Sequence, residues 1–265
     1  MYETTYHRAS SVDEAVSLLG KAEDGKFLAG GMTLIATMKQ RLAAPSDLVD
    51  LRHIDAMKGI SVNGRSVRIG AGTCHYDVAS SAELRAVCPA LCDLASHIGD
   101  PHVRHMGTIG GSVANNDPAA DYPSAVLALN MTVITNKREI AADDFFKGLF
   151  ETALEEDEII TAFSFEAPEK AAYAKFANPA SRYAMAGVFV AKNGGDVRVA
   201  VTGAGSDGVF RHAGMEQALA SHWSADAVAG IHVDAEDMLS DLHGTSEYRA
   251  HLVKVMAKRA VAAAG

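Results

Sequence analysis

Cysteine is scarce in this chain: Cys74, Cys88 and Cys92 are the only three in 265 residues. Three thiols cannot build the paired framework of a small secreted protein, and they fall short of the ligands an iron–sulfur cluster needs, so a reducing compartment is expected and no cluster of its own. Cys88 and Cys92, four apart, suit the packing of a helix better than half a metal site. Long hydrophobic runs are missing as well. No uncharged apolar stretch approaches the roughly 18 residues that span a bilayer, so no transmembrane segment is expected. Positive charge is in deficit, with 24 Lys and Arg against 33 Asp and Glu and a net charge of −9, which argues against nucleic acid as a partner. There is no H-E-x-x-H, no G-x-S-x-G and no P-loop pattern, so metalloprotease, serine-hydrolase and kinase readings lose their usual support. The stretch Met1–Arg8 has neither the basic start nor the apolar core of a secretory signal, and a cytoplasmic location is expected.

What is present suffices for a folded protein. Hydrophobic residues are 48% and charged residues 22%, enough apolar matter to offset the ordering of about two domains of roughly 100 to 200 residues each. Ser11 and Glu14 stand at capping-box spacing ahead of Val12, Ala15, Val16 and Leu19, which predicts a short amphipathic helix. Lys26–Ala29 reads as a strand, Gly30-Gly31 as a sharp turn, and Leu34, Met38 and Leu42 as the buried stripe of a helix stopped by Pro45. A returning strand follows at Asp47–Leu51, and Asn63-Gly64 between two β-rich triplets predicts a hairpin. Helical spacing resumes from His75 to about Ile98, with Ala79, Leu84, Val87, Leu91 and Leu94 as core positions. From Gly99 to Asp121 the periodicity disappears and glycines and two Asp-Pro pairs take over, as in a long functional loop. Strands are expected at Met131–Thr135, Ile159–Phe165, Val188–Ala191 and Val197–Val201, and a last helix from Tyr248 to Ala263. The acidic run Glu155–Glu158 reads as a solvated turn. A proline-containing polar link at Glu166–Lys170 predicts a junction between a first domain, 1–167, with parts 1–55 and 56–167, and a smaller one, 168–265. The class is α+β.

Two glycine pairs carry the chemistry. Ala29-Gly30-Gly31-Met32-Thr33 lies between a strand and a helix, where glycines let backbone N–H groups turn toward a phosphate. Thr108-Ile109-Gly110-Gly111-Ser112 continues into Asn115, Asn116, Asp117 and Asp121, a supply of donors and acceptors for phosphate, ribose or amide groups. Each alone could be a tight turn; together they can clasp a diphosphate, so a dinucleotide is the economical ligand. A third match, Gly203-Ala204-Gly205-Ser206-Asp207-Gly208, has the G-x-G-x-x-G spacing but runs on into a short extended segment and not a helix, which predicts strand, loop and strand. His97, His102 and His105 lie in or beside the second segment without metal-ligand spacing and read as hydrogen-bonded loop histidines.

These two glycine loops, with the run Asp100-Pro101-His102-Val103-Arg104-His105-Met106-Gly107 that leads into the second, resemble the flavin-binding signatures of the FAD-binding medium subunits of molybdenum hydroxylases, the group of aerobic carbon monoxide dehydrogenase and bacterial xanthine dehydrogenase. The resemblance extends over the whole chain. It implies a two-part FAD-binding domain of the vanillyl-alcohol-oxidase (PCMH) type followed by a smaller α+β domain. It implies that Ala29, Gly30, Gly31, Met32, Thr33 and Leu34, and Val103, Thr108, Gly110, Gly111, Ser112 and Asn115, surround the cofactor. It further implies a polar contact from Asp121, the adenine end near Ile160, and Lys175 and Tyr183 facing the isoalloxazine. Met32 and Ser112 depart from the usual signatures, which carry a polar residue and an asparagine there. The implied role is electron transfer: FAD in this chain collects electrons from two [2Fe-2S] clusters of a small subunit, after oxidation at a molybdopterin centre of a large subunit, and hands them to an external acceptor. A dimer of heterotrimers is the implied assembly. No side chain need act as acid or base. A stand-alone flavin oxidase or reductase on the same fold, and a nucleotide-binding assembly protein without redox chemistry, are the alternatives.

Overall fold

A computed structural model describes residues 1–265. The chain begins with β1 (Thr5–Arg8), α1 (Val12–Leu19), β2 (Gly25–Leu28), α2 (Leu34–Lys39) and β3 (Asp47–Asp50). The strands form a parallel sheet in the order β1-β3-β2, so each connection must cross over, and the two helices supply the crossings. Ser11 caps α1 by accepting the Glu14 N–H at 3.1 Å, while the Glu14 carboxylate returns to Ser10, accepting its N–H at 2.8 Å. The helix α2 is shorter than its apolar stripe suggests. Arg41 takes a left-handed φ of 61°, and its N–H and that of Leu42 donate to the Met38 and Thr37 carbonyls at 3.0 and 2.9 Å. This Schellman arrangement ends the helix well before Pro45 and leaves Leu42 80% exposed instead of in the core.

The second part contains β4 (Ile60–Asn63), β5 (Ser66–Gly70), α3 (His75–Ser80), α4 (Ala82–Val87), α5 (Pro89–Ser96), α6 (Pro101–Met106), α7 (Ile109–Asn115), α8 (Tyr122–Ala128), β6 (Thr132–Thr135), β7 (Glu139–Ala141), α9 (Ala142–Phe145), β8 (Phe146–Gly148), β9 (Glu151–Thr152) and β10 (Ile160–Glu166). Its antiparallel sheet runs β4-β5-β10-β6-β7, and the Asn63-Gly64 turn joins β4 to β5 as expected. The helical stretch after His75 is three short helices, divided where Ser81 turns extended to cap α4 and where Pro89 opens α5. Leu84, Leu91 and Leu94 are buried; Ala79 and Val87 are half-buried against the same core. Residues 99–121 are not the irregular loop expected. Asp100 caps α6 through the Val103 N–H at 3.0 Å, and Thr108 caps α7 through the Gly111 N–H at 3.1 Å. Helices of six and seven residues are too short to display an apolar period, so only their caps marked them.

The last part contains β11 (Lys170–Ala177), β12 (Ala184–Asn193), β13 (Asp196–Thr202), β14 (Phe210–Arg211), α10 (Ala213–Ser221) and α11 (Ser246–Ala264), with the antiparallel order β11-β12-β13-β14. The strand β12 is buried on both faces. Ala186, Val188 and Val190 join the core beneath α11, while Phe189 and Ala191, pointing the other way, join the core of the preceding part. The glycines at 203–208 link two strands and open no helix. The Gly203 carbonyl accepts instead from the buried Arg249 guanidinium at 2.9 Å. Cys88 and Cys92 are buried in the first core with no cluster of metal-ligating side chains around them, and burial pushes the Cys88 thiol up to about 12.

The acidic turn corrects one expectation. Glu158 is not solvated but buried, accepting from Arg138 Nε at 3.0 Å, Arg138 Nη2 at 2.9 Å, Thr135 Oγ1 at 2.7 Å and the Glu155 N–H at 3.0 Å. The Arg138 hydrogen bonds hold its carboxyl well below the ordinary 4.5, at about 2. A carboxyl with a depressed folded value contributes stability that is complete above 4.5 and lost as pH falls toward 2. Glu158→Gln should cost about 2 kcal/mol near neutrality and flatten the pH dependence of denaturant unfolding across that window; equal slopes for the two proteins would contradict this account.

Candidate functional site

The strand β2 ends at Leu28, and the chain turns through Gly30 and Gly31, the latter at φ 72°, before α2 begins. Through this turn the N–H groups of Gly30, Gly31, Met32 and Thr33 donate to no other group of the protein, and the Thr33 hydroxyl forms no cap bond. Four consecutive backbone donors are thus left for an external acceptor. The second loop spends its donors differently. The Ile109 and Gly110 N–H groups donate to the Thr73 and Ala71 carbonyls at 3.1 and 2.9 Å, and those of Gly111 and Ser112 go to Thr108. What it offers is side chains: the Ser112 hydroxyl and the Asn115 amide have no protein partner. The two loops meet at Gly30, where a Cβ would collide with the Met106 carbonyl and lie 2.7 Å from Gly107 Cα.

Together they wall a cavity of about 990 Å3. Ala29, Gly30, Gly31, Met32, Thr33 and Leu34 line it from the first loop. Val103, Thr108, Gly110, Gly111, Ser112 and Asn115 line it from the second region, and Asp121, Ile160, Lys175 and Tyr183 complete the expected set. Ile109 turns inward and is buried in the core. Several lining residues carried no sequence signal, among them Arg52, Lys58, Thr73 and Arg182. Arg52 and Lys58 are already committed to Asp50 and Asp55, at 2.7 and 2.8 Å. His75 sits under Gly107, 4% exposed, with Nδ1 unpartnered; burial, helped by Arg104, lowers it to about 4, so the ring is neutral. His105 stacks on Tyr76 and its Nδ1 lies 2.6 Å from the Pro101 carbonyl, so it is hydrogen-bonded as expected but on α6 and not in a loop.

A buried polar knot stands where the last sheet meets this cavity. Asp121 accepts from Tyr173 Oη at 2.5 Å and from Lys175 Nζ at about 3.0 Å, and the Asp121 and Lys175 side chains are each 5% exposed. Burial pushes the Asp121 carboxyl up, while the Lys175 ammonium and the Tyr173 hydrogen bond pull against it. Tyr173 was not foreseen, although strand alternation puts it on the same face of β11 as Lys175. Gly187 on β12 leaves room for its ring, since a Cβ there would approach Tyr173 Cζ to 3.0 Å. The lysine is therefore a paired charge and not a free one.

A cavity of this size with a row of free backbone donors fits a dinucleotide whose diphosphate rests on the first loop. The sequence model describing the "FAD binding domain in molybdopterin dehydrogenase" matches residues 2–167. The chain belongs to the family of FAD-binding medium subunits of molybdenum hydroxylases. It is 35% identical to the carbon monoxide dehydrogenase medium chain of Hydrogenophaga pseudoflava, over 98% of this chain and 96% of that one. It is 34% identical to the nicotine 6-hydroxylase medium subunit of Paenarthrobacter nicotinovorans, with the same coverage of 98% and 96%. The solved carbon monoxide dehydrogenase from Hydrogenophaga pseudoflava superposes with a TM-score of 0.86 at 34% identity, covering 99% of this chain and 97% of that one. The medium subunit is thus a component of an oxidoreductase.

Two substitutions probe this medium subunit. Gly30→Ala should force the loops apart, costing about 1–3 kcal/mol and lowering the FAD content of the purified protein; unchanged thermal stability and FAD content would contradict the close contact. Lys175→Met should cost about 3–5 kcal/mol by leaving Asp121 buried without its cation, whereas the double variant Lys175→Met/Asp121→Leu should recover most of it. Chemical denaturation of both forms checks the difference.

Proposed function

We propose that this chain is the electron-transfer subunit of a molybdenum-containing dehydrogenase, built from an FAD-binding domain of the two-part PCMH type at 1–167, with parts 1–55 and 56–167, and a C-terminal flavoprotein domain at 168–265. The observation that carries the reading is the run of four unpaired N–H groups at Gly30–Thr33 facing a cavity of about 990 Å3. Bound there, FAD supplies the redox chemistry that joins [2Fe-2S] clusters of a small partner subunit to an external acceptor. The N–H groups of the first loop hold the diphosphate, and Ser112 and Asn115 add side-chain contacts from the second. The substitution of Met32 for a polar residue removes one side-chain donor but none of the backbone ones. Leu34, Val103 and Ile160 give apolar walls, with Ile160 at the adenine. Tyr183, 47% exposed, offers its ring as a cover for the isoalloxazine. Lys175 presents to the same region a charge largely balanced by Asp121, so its effect on flavin potential depends on that pairing. No side chain acts as acid or base.

The partners in this reading are a large subunit carrying the molybdopterin centre and a small subunit carrying the two [2Fe-2S] clusters, assembled as a dimer of heterotrimers in the cytoplasm. The names of the relatives support the partnership, and no helix of the chain is long and apolar enough to cross a membrane. The test is the absorption spectrum of the complex isolated from its native host with this chain as the tagged handle. Flavin bands overlaid with iron–sulfur absorption, and two further chains in the preparation, are the expected result. A flavin spectrum from this chain alone would favour a stand-alone flavoenzyme, and a preparation without flavin would overturn both.

A further inference from the structure

A smaller cavity of about 370 Å3 opens beside the first and shares Gly99, Lys175 and Arg182 with it. Ser96, His97, Arg104 and Ala177 supply the rest of its lining, so no carboxylate faces it, in a protein whose net charge is −9. Three cations converge on consecutive carbonyls at the end of α5. Lys175 Nζ donates to His97 O at 3.3 Å, Arg104 Nη1 to Ile98 O at 2.9 Å, and Arg182 Nη1 to Gly99 O at 3.3 Å.

Capping of a helix C-terminus by cations is ordinary, and accounts for one N–H each from Lys175 and Arg182 and for the Arg104 Nη1, which also reaches the Gly99 carbonyl at 3.3 Å. It leaves both guanidiniums incomplete. Nε and Nη2 of Arg104 and of Arg182 donate to nothing, and neither residue forms a salt bridge. Of the nearby carboxylates, Asp121 is engaged with Lys175 and Tyr173, and Asp100 accepts the Val103 N–H while lying within electrostatic reach of Arg182, without an ion pair to it. Arg182 is also held in a conformation that costs energy, at φ 64°. A turn built on Asn178 imposes it. The Asn178 side chain accepts the Ala180 and Ser181 N–H groups at 2.9 and 3.2 Å, and its carbonyl accepts the Arg182 N–H at 2.8 Å.

Two guanidiniums pinned through Nη1 and free at Nε and Nη2 match the oxygens of a tetrahedral dianion. We propose that this cavity is a binding site for a phosphorylated small molecule, with its phosphate between Arg104 and Arg182. The volume admits a sugar-sized body as well as the phosphate. Because Lys175 lines both cavities, an anion here competes with Asp121 for its ammonium, and occupancy of the small cavity is felt in the large one. That last step rests on the reading of the large cavity as the flavin site; the binding itself does not.

Calorimetric titration of the full chain at constant ionic strength, using inorganic phosphate and ribose 5-phosphate as probes, tests the site. Saturable binding of one equivalent is expected, weakened at least tenfold by Arg104→Gln and by Arg182→Gln and unchanged by the remote Lys258→Gln. Tighter binding of ribose 5-phosphate would mean that the cavity also holds the organic body, and equal binding would mean that phosphate alone is recognised. In the FAD-loaded protein, saturation should shift the flavin absorption band, and the shift should vanish in Arg104→Gln. Heat that does not saturate, or binding indifferent to both arginine variants, would overturn the proposal. Since the calorimetry is also run on the FAD-free chain, loss of the flavin reading alone would remove the spectral shift and leave the phosphate binding in place.

Discussion

The contact between two backbones at Gly30 is the constraint on which the site depends. With no side chain there, the turn after β2 rests directly on Met106 and Gly107, and two glycine loops more than seventy residues apart become one wall. The approach goes with N–H groups of Gly30–Thr33 that have no protein acceptor, since no strand pairing forms there. It also couples the parallel sheet of the first part to the helices that cover the antiparallel sheet of the second. A diphosphate placed on those donors would satisfy groups that otherwise depend on water.

The same economy governs the buried charges. Each is bound to several partners, since an ionised group out of water is tolerated only when most of its lone pairs or protons are used; of these groups only the Arg249 Nε is left without one. Glu158 collects Arg138, Thr135 and a backbone N–H; Arg249 spans the Met185 and Gly203 carbonyls and Asp241; Asp121 collects Tyr173 and Lys175. The last of these joins the C-terminal sheet to the cavity, and β12, buried on both faces, joins that sheet to the main core. The C-terminal part is therefore fastened to the cofactor-binding part by apolar and ionic contacts together. Arg104, half-buried, and Arg182, exposed, lie outside this set of buried charges, each with Nε and Nη2 unpaired.

The sequence could be read wherever a local rule has one outcome. The Asn63-Gly64 hairpin, the glycine turn before α2, the strands β10, β12 and β13 and the long last helix lie where their patterns put them, whereas β11 follows the polar link with no expectation of a strand. Reading failed where an element was too short to show a period or where the chain's neighbours decided the outcome. The caps at Asp100 and Thr108 hide two helices in what reads as a loop. Leu42 sits on an apolar stripe that a left-handed Arg41 cuts off. Glu158 belongs to an acidic run, but Arg138, in the turn between β6 and β7, draws it inward.

By itself the sequence determined the class of the protein, the two glycine loops and the residue types around the cavity, because turns, glycines and alternation act over a few residues. Only the tertiary structure decided which donors are spent and which are free. It showed that the second loop uses its N–H groups on residues 71 and 73, that Lys175 is paired with Asp121 while Tyr173 assists, and that Arg104 and Arg182 gather at the end of α5. Whether a donor is free depends on what lies within about 3 Å of it. In a folded chain that neighbour is set by packing between segments far apart in sequence, which no local pattern records.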